Sequence, residues 1–515
     1  MRRRTDMARA LPAMPPLASV VVGERLAVAD VDAVARDRTP VALAPASAEA
    51  VARSHAFLQR LADSDAEVYG LTTGCGPLAG QRIDPAQRAA FQRNLVRSHA
   101  VALGAPHPAS VVRSAMLVRA QVFAHGRSGV APEVIELLTG MLNAGVHPIV
   151  RAVGGVGASG DLVELAEIAL VALGEGEAEL DGRVLPGGEA LRAARLVPLT
   201  PRLREGLALI NGTSFHTGAA ALAVAGARRV AGAAQVAAAM LFEALGGHRE
   251  ALDPALHAAR PHPGQAEVAA RLRQLTRDSG LVRDDTVAGS QDPYTVRCIP
   301  QIVGPVLEAI DAAARVVEIE LNAVSDNPLI FTAEQRVVHG GNFHGQPVAM
   351  ALDQLKAALV TLGVAGERRI ARTLDAGLSG GLPPFLVRGD AGLQSGFMGL
   401  QYCATTLAAE QQLLAAPASV RSIPTNANNQ DMVPMGMLAA RHALRVLDGG
   451  RRLVAIELLC GAQALELRGL AQAGAGSRAA HAAIRAVAAP LDDDRGLRAD
   501  VEAVAELIDR GLNVS

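Results

Sequence analysis

Residues 154–176 read GGVGASGDLVELAEIALVALGEG, and two chemistries overlap in the first half of that stretch. Gly155, Gly157 and Gly160 spell G-x-G-x-x-G, the turn that cradles a dinucleotide pyrophosphate when it links a strand to a helix. Acidic Glu179 and Asp181 stand about 20 residues on, where a ribose ligand is looked for. Ala158-Ser159-Gly160, inside the same six residues, is small and bendable. If a backbone amide attacks the carbonyl two residues back, a five-membered ring closes. Loss of water then turns the serine into a dehydroalanine unit. Such a group is an electrophile made without any imported cofactor. Asp161 sits at an N-cap position with Glu164 three residues later, the spacing of a capping box. The helix they would cap has an electropositive N-terminus, which raises the electron demand of whatever sits there.

The elements around the loop decide between these chemistries. A dinucleotide site needs alternating β and α units to build a doubly wound sheet, and the flanking sequence lacks them. Long Ala/Leu/Val-rich segments recur instead, at 201–246, 298–324, 345–373, 396–416, 433–470 and 476–512, separated by Gly, Pro and Asn clusters. Aromatic residues make up only 2% of the chain, with no Trp and three Tyr, so the core must be built from close-packed aliphatic helices. Upstream, VVVGERLAVADVDAVARD (20–37) reads as a short strand and a helix, 46–63 as a second helix, the Gly/Thr-rich run around Tyr69 as a functional loop, and GEGEAELDGRVLPGG as a hairpin. The expected architecture is mainly α. Residues 1–20 form a Pro- and Arg-rich disordered tail, 21–200 an N-terminal domain carrying the Tyr69 loop and Ala158-Ser159-Gly160, and 201–515 the central and C-terminal helical bundle.

Composition removes other functions. Lys356 is the one lysine in 515 residues and lies in a plain helical pattern, which argues against a P-loop and a pyridoxal Schiff base. A net charge of −2 gives no pull toward nucleic acid or membrane. The most apolar run, near Leu207 to Leu245, carries Arg228 and Arg229 and reads as a core helix, not a membrane span. Four scattered cysteines, Cys75, Cys298, Cys403 and Cys460, suggest neither a disulfide framework nor a metal site, and fit a cytoplasmic protein.

Eight motifs in order carry a resemblance: VYGLTTGCGPLAG, FQRNLVRSHA, VGASGDL, LALINGTSFHTG, SQDPYTVRCIPQIVG, SDNPLIF, GGNFHGQPVAM and TNANNQDMVPMG. Together they resemble the aromatic amino-acid ammonia-lyases and 2,3-aminomutases, from about residue 20 to 470. The resemblance implies a helical bundle of the fumarase/aspartase type. It also implies a 4-methylideneimidazol-5-one (MIO) group made from Ala158-Ser159-Gly160, and a homotetramer whose active sites are shared between subunits. In that pattern Tyr69 is the base that removes a β-proton, its pKa lowered by nearby positive potential. Arg297 holds the substrate carboxylate, Asn211 positions the amine and the ring, and Gln291 and Tyr294 surround the carboxylate and ring. Phe343 forms an aromatic wall.

Substrate choice divides the motifs. His99 is found in histidine lyases and in some tyrosine enzymes. Gln430 stands where histidine lyases carry a glutamate, and an amide cannot supply the charge that an imidazole would favour. The expectation is therefore an L-tyrosine lyase giving an arylacrylate. The alternatives are an aromatic 2,3-aminomutase, a urocanate-forming histidine lyase and, remotely, a non-catalytic scaffold or nucleotide-binding protein. Cys75, Arg151, Glu164 and Glu167 depart from the family pattern.

Overall fold

Helix Ser214–Ala244 is the axis of the molecule, and its sequence explains why. It is rich in Ala and free of Pro, so neighbours approach closely on every side. Every residue of it except Arg228, Arg229 and Gly232 is buried. The computed structural model describes residues 19–284 and 291–512. Helices Gly436–Arg468, Ala109–Ala124, Ile299–Leu321 and Gln346–Leu374 pack around the axis, and Gln346–Leu374 also lies against Ile299–Leu321 and Gly436–Arg468.

Among the described residues Gln346–Leu374, and not the Leu207–Leu245 run, is the helix that is long and apolar enough to cross a membrane by length and composition; 61% of its most apolar window is buried in this fold. Lys356 lies on it with no exposed side-chain surface, its Nζ donating to Ala416 O at 3.0 Å and 2.8 Å from Asp353 Oδ1.

The apolar core is continuous from Val22 to Ile508 and passes through residue 200 without a break. Of the expected tail, residues 1–18 lie outside the described residues, while Val20 begins a strand that pairs in parallel with Val41–Leu43. Strands among the described residues form only two- and three-stranded sheets, so no doubly wound sheet surrounds Gly155–Gly160. The expected hairpin forms between Glu177–Leu180 and Arg183–Pro186. Asp181 and Gly182 at its tip both have positive φ, the requirement of the two-residue turn that suits a twisted hairpin.

One expected long segment is interrupted. Residues 201–246 split into Glu205–Ile210 and Ser214–Ala244 at Asn211-Gly212-Thr213. Gly212 has φ +130°, and a Cβ there would lie 2.1 Å from Ser325 O. Only glycine allows this contact. The break delivers Asn211 to the site described next.

Candidate functional site

A cavity of about 800 Å³ collects Tyr69, His99, Ser159, Asn211, Phe343 and Gln430. Six separate stretches of chain supply these residues. Ala158-Ser159-Gly160 sits on the floor, folded back on itself by bridges from Gly160 to both Gly157 and Ala158. Gly160 has φ +72°, and a Cβ on it would meet Gly212 O at 1.9 Å, so the third residue of the tripeptide must be glycine. Ser159 O accepts from Gly212 N at 3.1 Å, and Asp161 N donates to Gly212 O at 2.9 Å. The tripeptide is thus held in a tight reversal with its serine facing the cavity. That cradle fits the geometry ring closure needs.

Gln430 reaches the serine directly. Its Nε2 donates to Ser159 Oγ at 3.0 Å, and its Oε1 accepts from Thr425 Oγ1 at 2.7 Å. Asn211 is fixed from behind: its Nδ2 donates to Asp326 Oδ1 at 3.0 Å and Asn327 O at 3.2 Å. Asp326 in turn pairs with Arg204 through two 2.9 Å bonds, and neither side chain is exposed. Burial alone would raise the Asp326 carboxyl, but Arg204 beside it outweighs that and holds it below its usual range. Asp326 lies within SDNPLIF, so the motif was visible, but its role as the support of Asn211 depends on a contact 115 residues apart in sequence.

Tyr69 stands on the Gly/Thr loop, which turns through a short 3₁₀ segment, Gly76–Leu78, packed against Asn426–Asn428. Its hydroxyl accepts from Gly76 N at 2.7 Å. The expected lowering of its pKa is not what this chain produces. Burial, then the neighbouring Cys75, push the phenol up; the Gly76 amide and Arg204 oppose them without prevailing. Burial likewise pushes the Cys75 thiol up to about 11. At the end of helix Arg88–His99, His99 Nδ1 donates to Leu95 O at 2.8 Å, which fixes the ring where it lines the cavity.

Three predicted residues are elsewhere. Gln291 is exposed beside the undescribed 285–290, Tyr294 is 68% exposed, and the Arg297 guanidinium lies 4.9 Å over the Tyr294 ring. Tyr294 lines a different hollow, together with Arg368, Arg372 and Asp375. One chain therefore does not bring Gln291, Tyr294 and Arg297 to Ser159.

The helix start at 161–164 also differs from the capping-box reading. Asp161 occupies the N-cap position but its carboxylate does not cap. It accepts instead from His216 N and Nδ1, both at 2.8 Å, in a fully buried pair. Burial opposes a charge on His216, but Asp161 wins and raises its pKa. Glu164 turns back to accept from Gly155 N at 2.8 Å. Arg151, another departure, lies on the surface near Glu177, away from the cavity, and Glu167 accepts from Ala102 N.

The model of the family described as aromatic amino acid lyase matches residues 26–486. The chain belongs to that family. It is an enzyme of the carbon–nitrogen lyase type, with the helical fold of its relatives. The histidine ammonia-lyase of Gloeobacter violaceus is 50% identical over 96% of this chain and 96% of its own length. Among solved structures, tyrosine aminomutase from Streptomyces globisporus superposes with a TM-score of 0.91 at 38% identity, covering 96% of this chain and 97% of that one. Histidine ammonia-lyase from Trypanosoma cruzi gives 0.89 at 35% identity, covering 96% and 94%. The relatives therefore weigh toward histidine, against the tyrosine expectation drawn from Gln430.

Proposed function

We propose that this lyase eliminates ammonia from L-histidine to give urocanate. The observation that carries the reading is the full-length 50% identity to a histidine ammonia-lyase, joined to a cavity that gathers Tyr69, His99, Asn211 and Gln430 around Ser159. Ala158-Ser159-Gly160 would become the MIO group, which supplies an electrophile for the substrate amine. The chain's own residues do the rest. Tyr69 takes the β-proton, and the Gly76 amide on its oxygen favours the phenolate. His99 Nε2 accepts from the N–H of the substrate ring. Asn211, braced by Asp326, orients the amine.

The remaining positive charge comes from a second subunit. Arg297 and Tyr294 would enter the cavity of a neighbouring copy in a homotetramer, where Arg297 binds the carboxylate and draws down the Tyr69 pKa. Exposed apolar residues on the helical bundle support such association: Ile319 is 71%, Met350 59% and Leu413 81% exposed.

A second reading rests on Gln430. Its amide offers no negative charge to an imidazole, and the Streptomyces aminomutase shares the fold closely, so L-tyrosine is the alternative substrate, with ammonia released or re-added at the β-carbon. Separate incubation with L-His, L-Tyr and L-Phe, following each arylacrylate and each β-amino acid, tests both readings. A higher kcat/KM for tyrosine than for histidine refutes the first, and a β-amino acid as main early product refutes simple elimination.

A further inference from the structure

Glu164 has no part in the cavity, yet it is buried completely one helical turn beyond the reactive tripeptide. Its Oε1 accepts from Gly155 N at 2.8 Å, and its Oε2 is buried without a partner. The loop leaves no slack there: a Cβ on Gly155 would lie 2.3 Å from Oε2 and 2.7 Å from Oε1.

Besides the first bond of the following helix, from Leu165 N to Asp161 O, the backbone from Gly155 to Asp161 is tied to the rest of the protein at five points. Met435 N donates to Val156 O, Gly345 N to Gly157 O and Gly212 N to Ser159 O, while Asp161 N donates to Gly212 O. Those four join main chain to main chain. The fifth, at the upstream end, is the bond from Gly155 to Glu164. A backbone amide withdrawn from water needs its acceptor, so this bond fixes where the loop begins its reversal.

We propose that Glu164 is a positioning residue for ring closure, clamping Gly155 so that the Gly160 nitrogen is held against the Ala158 carbonyl. The assignment rests on the MIO reading above. In the closure, a bond forms from Gly160 N to Ala158 C, and the Ala158 carbonyl oxygen leaves as one water with the amide protons of Gly160 and Ser159, a C=N bond to Ser159 N replacing the C=O. The Ser159 Cα proton and its Oγ hydroxyl leave as the second. No oxidant or reductant is needed. Glu164 exchanges no proton in this account, and it acts by placement alone. Burial, with Asp161 close by, pushes its carboxyl up to about 7, so a neutral amide is a fair substitute.

The test follows intact-protein mass against time after synthesis, reading the fraction of chain that has lost two waters. Circular dichroism and oligomeric state confirm folding. Glu164→Gln keeps the acceptor and should mature like the wild type. Glu164→Leu removes it, and Gly155→Ala displaces it from the opposite side. Each should mature about tenfold more slowly, which is the rate equivalent of about 1.4 kcal/mol. The double variant should be no slower than either, because both act on one bond. A folded Glu164→Leu chain that matures at the wild-type rate overturns the clamp, as does a Gln variant as slow as Leu. If Glu164→Leu does not fold, Gly155→Ala carries the same comparison with the carboxylate in place, and wild-type maturation there overturns the proposal equally. A wild-type chain with no mass loss, indistinguishable from Ser159→Ala, refutes the ring itself, whereas a maturing wild type with indifferent Glu164 variants refutes only the clamp.

Discussion

Replacing Asp326 by Asn should damage stability and the site together. Three donors converge on Asp326 Oδ1: Arg204 Nη2 at 2.9 Å, Asn211 Nδ2 at 3.0 Å and Asn327 N at 2.7 Å. Oδ2 takes Arg204 Nη1 at 2.9 Å. An amide is almost the same size, so no cavity confuses the result. It keeps one oxygen for the three donors but turns an NH2 toward the Arg204 guanidinium. Arg204, fully buried, then faces a neutral partner and a misplaced donor. Removing one partner of a buried pair costs about 3–5 kcal/mol. Because one acceptor survives, we expect the lower end, about 3 kcal/mol.

The assay is denaturant unfolding at fixed protein concentration, with the exposed Arg228–Asp311 pair as control, since Asp311→Asn should change little. The pH dependence has a definite sign. Asp326 has a folded pKa below the ordinary 3.8, so its contribution is complete at neutral pH and is lost as pH falls through the lower folded value. The gap between wild type and Asp326→Asn should therefore be constant from pH 6 to 8 and close only under strong acid. Asn211 loses its rigid backing in the variant, so kcat/KM should fall as well. A stability loss no larger than that of Asp311→Asn would refute the reasoning.

Other outcomes follow from the same geometry. Cys75→Ala removes a neighbour that raises the Tyr69 phenol, so the rising limb of the pH–rate profile should move to lower pH; no movement would detach Tyr69 from the proton step. Gln430→Glu places a charge beside Ser159 and should raise the preference for histidine over tyrosine by about tenfold in kcat/KM, the worth of one charge-assisted hydrogen bond. Mixing inactive Tyr69→Phe and Arg297→Ala chains before reassembly should restore activity, and continued inactivity would argue against shared sites. His216→Gln should cost more stability at pH 6 than at pH 9, measured by denaturant midpoint. The raised His216 pKa makes its pairing with Asp161 complete below 6.5 and lost as pH rises through the folded value.

Local signals were legible where they depended on neighbours in sequence. Asp181-Gly182 announced its turn, and the Ala-rich run 214–244 announced a helix with neither Pro nor strand alternation to contradict it. Leu103–Pro106 was hidden because it is exposed throughout and pairs with Arg151–Val153 across a register shift, leaving no alternating pattern. Helix Pro263–Leu275 was missed in a polar stretch that offers little apolar contrast. The break at Gly212 was invisible because its cause, Ser325 O, is over a hundred residues away. The same limit governs the site. The residues around Ser159 could be collected by motif, but the carboxylates of Asp161 and Glu164 were misassigned to local capping when distant His216 and upstream Gly155 claim them. Gln291, Tyr294 and Arg297 belong to the motif set, yet a string of residues does not say which copy of the chain delivers them.

The solitary lysine has a use of its own. Lys356 is sealed in the bundle and held by Asp353 and Ala416, so in the folded protein its amine is closed to acylating reagents. Its modification requires the surrounding helices to part. The rate at which one amine label appears at position 356 therefore reports how often the bundle opens, through a single-site clock that needs no engineered probe.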